Sequence, residues 1–268
     1  DPVDQGVVVA GYYSSAGVNF NPNGAAVFAP PPAGSNDIFV ARYCVKCLSI
    51  QTPCPQNDYG LKLDWLYTTG TTGDDQALGV AADVQGRAYA TGYKNGGANG
   101  RDMWLGKIDQ PPDCGQPIST TTSAWGLPST GFVYAAPGDN VGRGITVDGL
   151  DRVIVTGQFA GTVDFDPRSG EDFKTSAGGL DLFVSRLVNN APGDAEPVQY
   201  DWTFILGGAY DEVGSSVANE GLRSQRLAHA GWFGAPNSPN GYTVDFDPGS
   251  GTAASESIVL CKTSGPSS

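Results

Sequence analysis

The chain has 268 residues, of which 38 are glycine and 19 are proline, and only 16% of them are charged. This profile fits short strands joined by tight turns, because turns use glycine for positive φ and proline for fixed φ. The formal net charge of −13 argues against nucleic-acid binding, which requires a basic surface. No apolar run reaches the roughly 18 residues of a membrane span, so the sequence predicts none.

The first two predicted repeats cover about residues 1–62 and 63–130. The first contains a strand that ends near a glycine, VVVAGYY, and a strand that opens with an acid, DIFVARY. The second opens with an aromatic strand, LDWLYTTG, and passes through an acidic turn into a small-residue strand, GVAAD. It then repeats the two earlier strands as RAYATGY and DMWLGKI.

The third and fourth repeats cover about residues 131–199 and 200–268 and follow the same cycle. The aromatic strands are GFVYAAPG and YDWTFILGG, and the small-residue strands are GITVD and SSVAN. The strands that end near a glycine are VIVTGQF and LAHAGWF, and those led by an acid are DLFVSRL and ESIVLCK. If each cycle is counted from its small-residue strand to its aromatic strand, the first cycle lacks the small-residue strand and the last lacks the aromatic strand.

Two independent markers recur together at intervals of about 65 to 80 residues. The marker glycines are Gly11, Gly92, Gly157 and Gly231, and the marker acids are Asp37, Asp102, Asp181 and Glu256. Four antiparallel strands per repeat form the blade of a β-propeller. We therefore predict an all-β protein, a single β-propeller domain or part of one over residues 1–268, with its first and last blades incomplete.

The incomplete terminal blades leave two alternatives open. Further blades follow in a longer chain, which we favour because four-bladed propellers are small for the class. Alternatively, a neighbouring subunit completes the open edges by strand addition. In both cases the open blade edges are the expected site of binding to other subunits or to copies of the same chain.

The motif Asp-Phe-Asp-Pro occurs twice and supplies the candidate metal ligands Asp164, Asp166, Asp245 and Asp247. Two carboxylates followed by free carbonyl groups suit Ca²⁺, which takes six to eight oxygen ligands. The alternative is an Asx turn, in which the side-chain oxygen accepts hydrogen bonds from backbone N–H groups. The first repeat has the amide version GVNFNPNG, which favours the turn because amides bind calcium poorly.

Acids also recur at the turn before each small-residue strand, and their repetition favours a structural role over a ring that binds cations or sugars. These residues are Asp74, Asp75, Asp139, Asp211 and Glu212. The single histidine, His229, replaces apolar residues of the other repeats, so we expect it to pack between strands with one hydrogen-bond partner. No catalytic residues are assigned. Trp125 and Trp232 are less constrained by the repeat and are candidate binding aromatics.

The five cysteines are Cys44, Cys47, Cys54, Cys114 and Cys261, and the first three share a stretch that reads as a loop. Cys-x-x-Cys is half of a common zinc ligand set, but the second half is missing. Disulfides in an oxidising compartment are therefore the better interpretation, and the odd number leaves one thiol free or paired with another chain.

The third repeat carries a family resemblance in the run GRGITVDGLDRVIVTGQFAGTVDFDPRSGEDFKTSAGGLDLFVSRL, which resembles the bacterial β-propeller repeat often called SBBP. The fourth repeat departs from the pattern, because Asn219 replaces the acid and His229 and Ala230 replace Val-Thr. The resemblance implies a propeller and an extracellular or cell-surface location. It implies no single activity, since one fold hosts many functions.

We therefore predict a secreted or cell-surface propeller with a structural, assembly or protein-interaction role. One alternative is a carbohydrate-binding or carbohydrate-active propeller, since glycoside hydrolysis needs only two suitably spaced acids. The other alternative is an accessory subunit of a larger extracytoplasmic complex.

Overall fold

The computed structural model describes residues 6–47, 59–95, 97, 100–108, 119–120, 131–166, 168, 170–189, 198–219, 227–234 and 258–260. Within these residues the chain forms β-strands joined by turns and loops, and no helix is present that is long and apolar enough to cross a membrane. The strands are β1 (Val7–Tyr13), β2 (Asp37–Cys47), β3 (Tyr59–Thr69), β4 (Gln76–Ala82), β5 (Ala88–Asn95), β6 (Arg101–Ile108), β7 (Ser119–Thr120), β8 (Phe132–Tyr134), β9 (Val141–Val147), β10 (Arg152–Phe159), β11 (Thr162–Asp164), β12 (Phe173–Thr175), β13 (Asp181–Asn189), β14 (Val198–Leu206), β15 (Glu212–Asn219), β16 (Leu227–Phe233) and β17 (Ile258–Leu260).

The strands of the described residues assemble into four successive sheets and one separate hairpin, β11–β12. Sheet 1 has the order β1-β2-β3-β7, sheet 2 β4-β5-β6-β8, sheet 3 β9-β10-β13-β14 and sheet 4 β15-β16-β17. In sheets 2 and 3 this is the predicted order of small-residue, glycine-ended, acid-led and aromatic strands, and all these pairs are antiparallel. The all-β class is confirmed, while closure of the sheets into a propeller stays a prediction.

The marker glycines of the second, third and fourth repeats each face a β-bulge in the neighbouring small-residue strand. The carbonyl group of that strand turns towards the glycine and leaves no room for a side chain. An added Cβ would lie 1.9 Å from the Gln76 oxygen at Gly92, 1.9 Å from the Val141 oxygen at Gly157 and 2.3 Å from the Val213 oxygen at Gly231.

Consecutive sheets share apolar cores, and we number the junctions between them 1 to 3 in chain order. Junction 1 contains the stacked rings of Tyr67 and Trp104, whose centroids are 6.5 Å apart. Junction 2 has the largest cluster of buried residues in the described part of the chain, including Phe159 and Phe183. Junction 3 has a smaller cluster of buried residues, namely Ile154, Leu182, Val184, Leu206 and Val217. A large apolar side chain contributes about 1.5–3 kcal/mol when fully buried, so the described core of junction 3 contributes least.

Small residues let the sheets approach each other closely at the junctions. A Cβ added to Gly142 would lie 1.9 Å from the Thr91 hydroxyl oxygen across junction 2. A Cβ added to Gly214 would lie 2.2 Å from the Thr156 hydroxyl oxygen across junction 3. At the equivalent positions of junction 1, two alanines pack in one apolar cluster. The matched pairs are Ala10 with Ala77, Thr91 with Gly142, and Thr156 with Gly214.

Two features differ from the sequence prediction. The stretch that contains Cys44 and Cys47 is not a loop, because β2 continues to Cys47 and pairs with β3 from Tyr59. The strand at 258–260 pairs with β16 in a parallel and not an antiparallel direction. A tight hairpin forces the antiparallel direction, whereas a connection of a dozen or more residues, as between Phe233 and Ile258, also permits the parallel one.

Replacement of Gly157 by alanine tests the close approach of backbone to backbone. We expect Gly157→Ala to lower the free energy of unfolding by about 3 kcal/mol, because the Val141 carbonyl must move. Gly11→Ala is the matched control, since an added Cβ there meets only the Phe39 ring, at 3.0 Å, and we expect a loss below about 1 kcal/mol. Urea denaturation followed by tryptophan fluorescence measures both variants, and equal losses would contradict the interpretation.

Candidate functional site

The Asp-Phe-Asp-Pro motif of the third repeat lies at the end of β11. The Asp164 Oδ1 atom accepts hydrogen bonds from the backbone N–H groups of Asp166, at 3.0 Å, and Asp172, at 2.8 Å. The Asp166 Oδ1 atom in turn accepts one from the N–H of Arg168, at 2.9 Å. Each carboxylate therefore caps the loop as an Asx turn does.

The amide version of the motif in the first repeat makes the same two hydrogen bonds. The Asn19 Oδ1 atom accepts from the N–H groups of Asn21, at 3.0 Å, and Val27, at 3.1 Å. An uncharged oxygen therefore performs the role that Asp164 performs. The calcium hypothesis stays a prediction, and the second candidate pair, Asp245 and Asp247, lies outside the described residues.

The phenylalanine of the motif is a packing residue in both repeats. Phe165 is fully buried, and its ring centroid lies 5.0 Å from that of Phe183 on β13. Phe20 is buried in the same way, with its centroid 4.9 Å from that of Phe39 on β2. The motif thus fixes a loop over the face of its own sheet.

The predicted acidic turns connect one sheet to the next. Each turn donates a backbone N–H to the carbonyl group of the residue directly before the marker acid of the previous sheet. The hydrogen bonds run from Asp75 to Asn36 at 3.0 Å, from Asn140 to Arg101 at 2.8 Å, and from Glu212 to Leu180 at 2.6 Å. The three donor residues are buried, and their side chains bond the turn itself. This geometry supports the structural interpretation of the repeated acids.

Junction 3 places two buried carboxylates close together. Asp181 and Glu212 each expose only 1% of their surface. Asp181 Oδ2 accepts the N–H of Ala177 and Glu212 Oε2 accepts the N–H of Gly208, whereas Asp181 Oδ1 and Glu212 Oε1 have no hydrogen-bond partner. Burial raises the pKa of both carboxyl groups, and the negative charge of Asp181 raises that of Glu212 further.

Junctions 1 and 2 have the same pair of positions with different charges. At junction 1 the acids Asp37 and Asp75 act on the ammonium group of Lys94, whose pKa burial lowers and their charges raise. Lys94 is itself buried and donates a hydrogen bond of 2.8 Å to the Thr69 hydroxyl group. At junction 2 the second acid is replaced by an amide, Asn140. Lys94 was not predicted from the sequence, although its repeat position is marked by a change of residue type.

His229 is buried in junction 3, as predicted, and has one hydrogen-bond partner. Its Nε2 atom lies 2.5 Å from the Thr156 hydroxyl group, which donates to the Phe183 carbonyl at 2.8 Å and therefore accepts from the imidazole. The Nδ1 atom has no partner. Burial lowers the pKa of His229 to about 4, so the ring is neutral at physiological pH.

Exposed apolar side chains occur on several sheets, and those of the first and last sheets include predicted or unexpected surface residues. Trp232 on β16 is 49% exposed, and Trp125 lies outside the described residues. On β1, Val7 is 40% and Val9 37% exposed. In the middle sheets the equivalents of Val9 are buried, because another sheet covers them; they are Ala90 and Val155.

The cysteine predictions fall mostly outside the described side chains. Cys44 is buried on β2 and accepts a hydrogen bond from the Arg42 guanidinium group at 3.4 Å. Arg42 also forms a buried ion pair with Asp64 on β3. The side chain of Cys47 and the residues Cys54, Cys114 and Cys261 lie outside the described part of the structure.

No group of three or more His, Cys, Asp and Glu side chains that could hold a metal ion occurs in the ranges that the structure describes. No protein-family model matches the chain, and a search of curated proteins finds no match.

The substitution Asp164→Asn separates the turn from a calcium site. We expect it to change the free energy of unfolding by less than about 1 kcal/mol, because Asn19 makes the same hydrogen bonds. Asp164→Ala leaves two N–H groups without an acceptor and should cost about 1–3 kcal/mol. Both are measured by urea denaturation with calcium and with EDTA. A calcium-dependent stability that Asp164→Asn abolishes would support calcium binding instead.

His229 predicts a loss of stability in acid. Its folded-state pKa lies below the ordinary value, so its contribution to stability is present above pH 6.5 and is lost as pH falls to about 4. The loss amounts to about 3 kcal/mol at most. His229→Val, which introduces the residue of the first and third repeats, should remove this part of the pH dependence. Urea denaturation at several pH values measures it, and an unchanged profile would contradict a buried neutral histidine.

Proposed function

We propose that the chain is a β-propeller unit of a secreted or cell-surface protein and that its role is assembly with other subunits or with copies of itself. The observation that carries the proposal is the succession of sheets in chain order. The first strands of successive sheets are neighbours, since β4 contacts β9 and β9 contacts β15. In a propeller such strands lie nearest the axis.

The terminal sheets supply the surface for assembly. β1 is the edge strand of sheet 1, and an edge strand offers unpaired backbone groups to an incoming strand. Val7 and Val9 are exposed on it, although Ala90 and Val155 at the position of Val9 are buried under a neighbouring sheet. A further sheet or strand from another chain would cover this apolar surface in the same way.

The extracytoplasmic location rests on other features of the chain. Five cysteines in a chain with one buried histidine fit disulfides better than a metal site. The resemblance to the SBBP repeat points to the same compartment. The intact mass of the native protein before and after reduction tests for a disulfide to a second chain.

A carbohydrate-binding role is the second candidate, and the half-exposed indole of Trp232 favours it, because exposed aromatic rings stack on sugars. An array of glycans probed with the native protein distinguishes the two. Glycan binding by a strictly monomeric protein would replace the assembly proposal.

The substitution Val9→Asp tests the assembly surface. A carboxylate placed at the apolar edge should weaken self-association at least about tenfold, a change of about 1.4 kcal/mol. The matched control is Leu150→Asp, since Leu150 is exposed in the turn between β9 and β10 and not at a sheet edge. Sedimentation velocity measures both. The proposal fails if the native protein is a closed monomer at all concentrations, or if both variants behave alike.

A further inference from the structure

The three junctions compensate the charge of their buried acids in different ways. At junction 1, Asp37 and Asp75 are balanced by the ammonium group of Lys94. At junction 2, Asp102 is combined with the neutral amide of Asn140. At junction 3, Asp181 and Glu212 are both acids.

The strand register shows that, among the described residues, no cation occupies in junction 3 the position that Lys94 occupies in junction 1. Glu212 is paired with Phe233 on β16, one position beyond the pair of Val213 with Trp232. In sheet 2 the corresponding position on β5 holds Lys94, directly after Tyr93, which pairs with Gln76. A phenyl ring therefore stands in sheet 4 where sheet 2 has an ammonium group.

Two ionised carboxylates at this place are unfavourable for physical reasons. Each is almost fully removed from water, and each has one oxygen without a hydrogen-bond donor. Like charges in a site of low dielectric constant repel strongly, so one of the two acids takes up a proton more readily than it does in water. The described apolar core of junction 3 is also the smallest, so less hydrophobic stabilisation opposes this repulsion than at the other junctions.

We propose that junction 3 is a pH-sensitive clasp: sheets 3 and 4 are held together firmly when either Asp181 or Glu212 is protonated, and the junction loosens when both acids are ionised. At junction 1 the charge of Lys94 opposes this effect, and at junction 2 the pKa of Asp102 is also raised by burial but the residue faces an amide and not a second acid, so the effect is weaker there. The clasp does not depend on the assembly role proposed above.

Further ionisable groups of the described residues lie at junction 3. Asp211 precedes β15 and accepts the N–H of Leu180 at 2.9 Å, and its charge adds to the repulsion on Glu212. His229 on β16 lies further along the strand, opposite Val217. Its pKa is lowered, so it destabilises the junction in acid, whereas the raised pKa of Glu212 destabilises it as pH rises above the ordinary carboxyl range.

Native-state hydrogen exchange of the full chain tests the clasp. The backbone N–H of Glu212, which bonds to Leu180, reports on junction 3, and the N–H groups of Asp75 and Asn140 report on the other two. After correction for intrinsic exchange rates, the protection of Glu212 relative to Asp75 should fall at least about tenfold from about pH 5 to about pH 8. A ratio that stays constant within about twofold overturns the proposal.

Two variants locate the cause. Glu212→Gln reproduces the amide of junction 2 and should abolish the fall of the ratio between about pH 5 and about pH 8. His229 is unchanged in this variant, so its own loss of stabilisation in acid should remain as an internal control. Lys94→Met removes the cation of junction 1 and should give the Asp75 N–H the pH dependence of Glu212. An unaltered pH dependence in Glu212→Gln overturns the proposal, as does a wild-type protection ratio that responds to calcium and not to pH. The wild-type ratio decides alone if a variant fails to fold.

Discussion

The sheets of this protein depend on close contact between backbone and backbone. At Gly92, Gly157 and Gly231 a bulged carbonyl group occupies the space of a side chain. The bulge turns the small-residue strand and brings its own small residues against the preceding sheet. The threonine–glycine contacts between sheets therefore depend on the marker glycine, because the bulge opposite that glycine gives the small-residue strand the geometry that these contacts require.

Much of the local structure could be predicted because the hairpins are short. The period-2 pattern and the turn residues specify which strands are neighbours, and a short connection permits only the antiparallel direction. The recurrence of glycine and acid placed β5, β6, β10 and β13 correctly. The same reasoning predicted that His229 would be buried, because its counterparts in the other repeats are apolar.

The remaining features depend on contacts between residues far apart in sequence. The parallel direction of β17 follows a long connection, for which sequence pattern gives no direction. The extension of β2 through Cys44 requires a partner strand that begins at Tyr59, and the intervening residues gave no sign of it. The role of Lys94 as a counter-ion could not be predicted, because it depends on Asp37 and Asp75, which the fold brings together from the two sides of junction 1. Closure of the sheets and the identity of a binding partner also depend on contacts between distant residues or between chains, which the sequence pattern does not specify.

The matched pairs at the junctions mean that the repeats are not equivalent building blocks. Sheet 2 contacts the preceding sheet through Ala77 and the following sheet through Thr91. It therefore fits an alanine of the preceding sheet and a glycine of the following sheet. Exchange of sheets 2 and 4 would place Thr156 against Ala77, where the hydroxyl group and the extra methyl group compete for one space. These contact surfaces thus distinguish junction 1 from junctions 2 and 3. A sheet inserted between two of these repeats would therefore have to place a small residue opposite Thr91 or Thr156.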